Sequence, residues 1–529
     1  MYGCNPFFLR LFINKVQTGE FIKSCVVTKP QIRKLWQKMN HLCNLLVLAL
    51  LAGVTRALQS ELTEPRVLES KNGLLDIQLD LNYVNWTIQG YRMNTRGFAD
   101  SIPGLTLKMK AGDKLRILLK NKLHKESGCA FVPSHNSYKQ PEVTNLHTHG
   151  MYVSSTAPSD DVTIAIGQNE SYQYSIDIPT EHAAGSHWYH PHHHGSTALQ
   201  VGGGAFGAII IGDDKDALPE QYQNMSEKIM VVSFMNMPAV EHAATYSCDS
   251  HFDFAGETDQ FILVNGQMNP KVTMNPNEWY RWRIVYASIG SVAKMNMGVG
   301  CEMKLLAKDG VYLNEFPRDV DALYLPAGGR ADVAVRCSAN SSAFRALIDS
   351  QTYAIVTPVI RQQSYSPGKP LLKYNFKAPN YLRDLRYVNA TTRYDIGFTG
   401  GIVADDGSGS TCVINGRAWI NSNTYNKCYS KGDIVESRLT GIVYHPMHMH
   451  IYPFQLQEDV EIETNYYKAG DWHDTLQVLT SSVVNVKIHI TNLFSGKQMV
   501  HCHILPHEDT GCMAMNYIKE TQDEICVQE

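Results

Sequence analysis

Charge is scarce in this chain: Asp, Glu, Lys and Arg make up 19% of its 529 residues, against about a quarter in ordinary soluble proteins. The formal net charge is -4 at pH 7, so a polyanionic partner such as nucleic acid is not expected. Apolar residues at 44% argue against a largely disordered chain. An apolar run of the roughly 20 residues that a membrane-spanning helix needs is also missing. The run from Leu42 to Val54 has thirteen. Long segments of helical period are absent, which argues against a helical bundle.

The few charges are unevenly spread. Residues 1 to 57 carry eight Lys/Arg and one Glu, which leaves -11 for the remainder. Arg33, Lys34 and Lys38 precede the thirteen-residue apolar run, and Thr55-Arg56-Ala57 follows it. That is the order of a signal peptide, so residues 1–57 read as a leader and the protein as exported, to the periplasm or outside the cell. Met39 is an alternative start. Arg33-Lys34 is not a twin arginine, which favours the general secretion route.

Export would let disulfides persist. Of twelve cysteines, Cys4, Cys25 and Cys43 would leave with the leader, while Cys502 and Cys512 sit in a histidine motif. Cys129, Cys248, Cys301, Cys337, Cys412, Cys428 and Cys526 remain, an odd number. Proximity suggests Cys301 with Cys337 and Cys412 with Cys428, although connectivity is not deducible from sequence.

Short alternating or apolar runs recur between turn residues, as in Leu74 to Leu81, Leu105 to Leu119, Ile209 to Ile211 and Val483 to Ile490. Turn signals at Ala111-Gly112-Asp113, Val264-Asn265-Gly266 and Ile414-Asn415-Gly416 separate them. This is the pattern of an all-β protein built from β-sandwiches. At roughly 150 residues per domain the length allows three or four domains. Linker-like composition at 214–224 and 365–380 divides the chain into 58–213, 225–375 and 381–529.

What the chain does have is histidine in four places. With 21 in 529 residues, the windows 147–149, 190–192, 445–450 and 501–507 should together hold fewer than one; they hold ten. Alternate residues of a strand share a face, so each H-x-H pair aims two imidazoles one way. Two pairs lie early and two late, so they converge only if the first and last domains pack together. Cys502 lies between His501 and His503, and with His445 and His507 it makes the His₂Cys set of a blue-copper electron-transfer site. Zinc is the competing metal, but a closed four-coordinate zinc site leaves eight clustered histidines unexplained.

These motifs resemble the multicopper oxidases of the laccase type. His147-Thr148-His149-Gly150, Trp188 to His192, His445-Pro446-Met447-His448-Met449-His450 and His501 to Gly511 match the four copper motifs in order. Similarity extends to Pro103-Gly104, Ala111-Gly112-Asp113, Val264 through Gln267, Arg281-Trp282-Arg283 and Gly329-Arg330-Ala331-Asp332. The resemblance implies three cupredoxin-like Greek-key sandwiches, a type 1 copper in the third, and a trinuclear cluster between first and third. It implies type 1 ligands His445, Cys502 and His507, type 2 ligands His147 and His448, and type 3 ligands His149, His190, His192, His450, His501 and His503. Substrate would give up electrons singly at type 1, and these would pass through Cys502 to its flanking histidines and reduce dioxygen to two waters. The cofactor is then copper, four per chain. The partners are dioxygen and a small reducing substrate, in a monomer.

Three carboxylates are candidates for proton handling on the same resemblance: Asp160 and Glu508 beside the cluster, and Asp474 beside the type 1 histidines as a receiver of substrate protons. His193 and His194 fall outside the ligand register. The sequence departs from the family at two points. Cys512 stands where an axial Met is usual, with Met513 next to it, and Ile451-Tyr452 replaces the usual Gly-His. No long methionine-rich insert argues for a dedicated cuprous oxidase, so phenols and aromatic amines lead as substrates. Oxidation of Cu(I), Fe(II) or Mn(II) is the alternative. The run Glu458, Asp459, Glu461 and Glu463 could attract such cations, but a charge run is more often a solvated face. A non-catalytic copper-binding or scaffold protein is the reading from another class, and the complete ligand set speaks against it.

Overall fold

In a computed structural model of the chain, the described residues are 59–528 apart from 89–90, 125–135, 137–139, 214–217, 237–259, 339–341, 363–367, 401–411, 461–464 and 481–482. The leader, Cys129, Cys248, Glu461, Glu463 and parts of both linkers lie outside them.

Hydrophobic alternation builds the first sandwich. In Lys114–Asn121, Leu115, Ile117 and Leu119 are buried while Lys114 and Arg116 face out. This strand pairs with Leu74–Ile88 and Ser171–Asp177, and Tyr91–Phe98 completes a four-stranded sheet. A five-stranded sheet packs on it, ordered Val67–Glu69, Thr106–Met109, Gly207–Ile211, Gly185–His190 and His147–His149. Gly207–Ile211 is buried throughout. Ile209 and Ile211 join the first core, whereas Ala208 and Ile210 meet Ile229, Val231 and Val285 of the next sandwich. A strand covered on both faces reads as an unbroken apolar run.

The second sandwich sets a seven-stranded sheet containing Ser226–Asn236, Tyr280–Tyr286, Arg330–Cys337 and Cys301–Lys308 against a five-stranded one containing Gln351–Ile360 and Phe344–Ile348. The third repeats that plan. Its seven-stranded sheet contains Cys412–Ile414, Ile396–Gly400, Ile434–Thr440 and Val483–His489, and its five-stranded sheet runs Lys427–Ser430, Met513–Lys519, Gly496–Cys502, Met447–Met449, Thr475–Leu476. The Asn265-Gly266 and Asn415-Gly416 turns close two-residue hairpins with positive φ at both positions (51° and 75°, 52° and 76°), as the primed hairpin turn demands. The described helices are short, such as Thr197–Gly202 and Leu505–Asp509. None is long and apolar enough to cross a membrane.

The structure pairs Cys301 with Cys337, Cys412 with Cys512 and Cys428 with Cys526. The first agrees with proximity; the Cys412–Cys428 expectation is corrected. Cys412 begins a strand of the seven-stranded sheet and Cys428 lies on the edge strand of the opposing sheet, beside Tyr517, whereas Cys512 stands at the other end of the Met513–Lys519 strand, next to Cys502. Closeness along the chain does not bring Cys412 and Cys428 together.

Candidate metal centre

Two antiparallel strand pairs position the imidazoles. In the first sandwich His147 lies opposite His190, and His149 opposite Trp188. In the third, His448 lies opposite His501, and Met447 opposite Cys502. Alternation therefore turns His501 and His503 to one face of their strand and Cys502 to the other.

The two sandwiches bring these faces together. Ring nitrogens converge in the sets His147/His149/His448, His149/His190/His503 and His192/His450/His501, each within 4.8 Å. His192 Nε2 and His450 Nε2 each lie 3.2 Å from His501 Nε2, His149 Nδ1 lies 3.3 Å from His503 Nε2, and His147 Nε2 lies 3.5 Å from His448 Nε2. All eight rings are at most 3% exposed. Burial, reinforced by neighbouring imidazoles, pushes His147, His149, His190, His450, His501 and His503 well below the ordinary histidine range, and His192 down to about 3. Neutral rings are metal-ligating rings.

Several of the outward nitrogens are held. His147 Nδ1 meets Asp160 Oδ2 at 2.9 Å, His190 Nδ1 meets the Pro191 carbonyl at 2.8 Å, and His448 Nδ1 meets the Asp474 carbonyl at 2.9 Å. His149 Nε2 faces Thr475 Oγ1 at 3.0 Å and Asp474 Oδ1 at 3.2 Å. Glu508, wholly buried, puts Oε2 3.2 Å from His501 Nδ1 and Oε1 3.4 Å from His192 Nδ1. Burial drives its carboxyl well above the usual range, with Asp509 beside it adding to the shift. Burial likewise pushes Asp160 up to about 8, against the opposing pull of the Thr148 N–H. His190 Nε2, on the inner side, has no protein partner.

On the other face of the last motif, Cys502 Sγ lies 3.6 Å from His445 Nδ1 and 3.7 Å from His507 Nδ1, and these two nitrogens are 3.3 Å apart. Ile504 N–H donates to the Cys502 sulfur at 3.4 Å. Cys502 is the unpaired cysteine among the described residues. Cys512, which register places at the axial position, stands in the same pocket as half of a disulfide, so it offers no free thiol there. Met513 lies opposite His501 on the other face of the sheet, packed with Trp419, Met499 and Met515.

Asp474 is also corrected. The pairing of Thr475 with His448 carries Asp474 to the imidazole cluster and away from the type 1 pair. There Arg330 of the second sandwich grips it, Nη1 to Oδ1 at 2.6 Å and Nη2 to Oδ2. Arg330 was visible in the sequence only as part of a motif, and Thr475 not at all. The second sandwich supplies no clustered imidazole yet touches the cluster closely. A Cβ on Gly150 (φ 84°) would lie 2.1 Å from Arg330 Nη2, and one on Gly328 (φ 84°) 2.8 Å from His503 Nε2. His193 and His194 point elsewhere, to Gln140 and Asn136. Ile451, where the family resemblance led to Gly, has φ 69°, a left-handed conformation that costs a branched residue about 1–2 kcal/mol.

Three family models described as multicopper oxidase match this chain, at residues 130–216, 235–365 and 404–522. A multicopper oxidase of Staphylococcus aureus is 23% identical over 469 residues, spanning 86% of this chain and 92% of that one. The laccase of Bacillus subtilis is 23% identical over 483 residues, spanning 79% and 88%. Among solved structures, a Campylobacter jejuni multicopper oxidase described as a metallo-oxidase superposes with TM-score 0.68 at 21% identity, covering 87% of this chain and 96% of its own. The chain belongs to the multicopper oxidase family, and its three sandwiches are cupredoxin-like. It is a copper-dependent oxidoreductase with dioxygen as acceptor.

Proposed function

We propose that the chain holds four coppers and couples one-electron oxidation of phenols and aromatic amines to reduction of dioxygen to water. The observation that carries this reading is a single strand end, His501-Cys502-His503, whose sulfur joins a His₂Cys pocket while its flanking imidazoles join the other pocket. The residues fit the metal: inner ring nitrogens face one another with no protein acceptor between them, His190 Nε2 is unpartnered, and neutral imidazole with one thiolate is a donor set that suits copper. His445, Cys502 and His507 would hold type 1 copper, His147 and His448 type 2, and the remaining six imidazoles the type 3 pair. Bound there, copper supplies one-electron redox chemistry.

The chain's own groups do the rest. Cys502 gives a short covalent path between the pockets. Asp160 fixes the His147 tautomer through Nδ1, and Glu508 sets a buried protonatable carboxyl beside His192 and His501. Arg330 and Asp474 orient His149 and His448 in the manner of outer-shell carboxylates at metal sites. We predict that Arg330→Gln or Asp474→Asn lowers copper affinity of the cluster about 10- to 100-fold and spares the type 1 pocket. Metal analysis with electron paramagnetic resonance would show the type 2 signal falling and the type 1 signal intact; equal loss of both would refute the assignment.

The substrate class rests on the surroundings of the His₂Cys pocket. Phe398 lies parallel to His445 at 6.1 Å, and Tyr444, next in sequence, is 77% exposed. Among the described residues no carboxylate pairs with His445 or His507. Glu458 and Asp459 are engaged by Asn485 and Lys468. We expect kcat/KM for a phenol to exceed that for Fe(II) or Cu(I) by at least about tenfold, a difference near 1.4 kcal/mol, measured as oxygen uptake. The opposite ranking would make the chain a metal-ion oxidase, and no uptake from copper-loaded protein would leave a scaffold. The same reading includes export through the basic leader, a monomer, and domain limits of 58–213, 225–375 and 381–529.

A further inference from the structure

Three sulfurs share the His₂Cys pocket, and one chain cannot use all of them as ligands. Cys412, Cys502 and Cys512 lie with His445 in a group whose donor atoms are within 4.8 Å of one another, and all three cysteines are 0% exposed. Backbone bonds lock two of them side by side: Cys502 N–H donates to the Cys512 carbonyl at 3.0 Å, and Cys512 N–H donates to the His507 carbonyl at 2.8 Å. A free thiol at Cys512 would therefore stand at the type 1 position, one strand from Cys502. It could bind there as a second sulfur, or form a disulfide with Cys502, the two thiols giving up two protons and two electrons to dioxygen, which becomes hydrogen peroxide, and so remove the ligand altogether. Cys512 is available for neither, being bonded to Cys412, one hundred residues away in sequence.

Building on the copper reading above, we infer that Cys412 is a positioning residue for the type 1 site: by holding Cys512 in a disulfide it leaves Cys502 as the sole thiolate of the pocket. The location of Cys412 suits that task. It opens the strand Cys412–Ile414, which pairs with Ile396–Gly400, and Phe398 of that strand is parallel to the His445 ring. The bond thus ties the far edge of one sheet to the ligand segment of the other, over the pocket. No methionine replaces Cys512, since Met513 faces the opposite side of its strand. Burial shields the bond from small thiols, so the ligand number is fixed when the fold forms.

A purely structural disulfide and a ligand-selecting one respond differently to paired substitution. In Cys412→Ala, Cys512 is released. We expect loss of most of the blue absorption, with either two sulfurs at copper by X-ray absorption or a Cys502–Cys512 cross-link in unreduced peptide maps. In Cys412→Ala/Cys512→Ala the competing sulfur is gone, and the wild-type spectrum and one-sulfur signature should return. A double variant as impaired as the single one, or a single variant with the wild-type spectrum, would overturn the inference. So would alkylation of both Cys412 and Cys512 in unreduced wild-type protein. The peptide map needs no copper, and wild-type protein that takes up no copper would refute the copper reading separately from the bond.

Discussion

Copper-loaded Cys502→Ser protein is expected to be colourless and inactive toward every reducing substrate while keeping most of its cluster copper. The sulfur is wholly buried between His445 and His507, and serine at that position offers a hydroxyl that stays protonated in place of a soft thiolate. The blue band is a sulfur-to-copper transition, so it cannot survive. The eight clustered imidazoles are on the other face of the strand and keep their partners, including Asp160 and Asp474. Replacing a buried thiol by a hydroxyl costs about 1–3 kcal/mol if the hydroxyl is unpaired, and Ile504 N–H remains available to it, so the fold should hold. Visible absorption, metal analysis and oxygen uptake check the three parts separately. Persistent blue colour would exclude Cys502 as the type 1 ligand.

The second large effect is expected at Glu508. Glu508→Gln should slow oxygen consumption by the reduced protein by about 10²-fold or more, the usual worth of a positioned proton donor, with substrate reduction of the type 1 site unchanged. Glutamine preserves the size of a side chain with no exposed surface but cannot take up and release a proton beside the cluster. Its neighbour Asp509 is committed elsewhere, accepting from the N–H groups of Gly195 and Ala198 at 2.7 Å each and from Thr197 at 3.2 Å. Burial raises Asp509 to about 7 against these bonds. Timing the two half-reactions by stopped flow isolates the effect. Identical reoxidation in the variant across the pH range would take Glu508 out of proton delivery.

Features of short period were legible in the sequence. The two-residue period put His501 and His503 on one face and Cys502 on the other, and the apolar run Ile209 to Ile211 marked a strand covered on both sides. Features that depend on which distant strands meet were not. Asp474 was drawn to the wrong pocket because only the Thr475–His448 pairing decides where it lies. Cys412 was matched to a neighbour in sequence, when its partner lies one hundred residues further on, beside Cys502. Arg330 reaches the cluster from a sandwich that carries none of the imidazoles, and no local pattern announces a contact across a domain boundary.

The two halves of the imidazole cluster lie at opposite ends of the chain: His147 and His448 are 301 residues apart, His149 and His503 are 354 apart. The metal site therefore cannot nucleate folding. Contacts of such separation close late, after shorter loops have formed, and the chain must be synthesised almost to its end before a second set of donors exists. On the proposed reading metal would enter a finished pocket and tie the first sandwich to the third, stabilising the folded form over the unfolded one by mass action. The metal-free protein would then lack one clasp, and it is expected to open first along the seam between those two sandwiches.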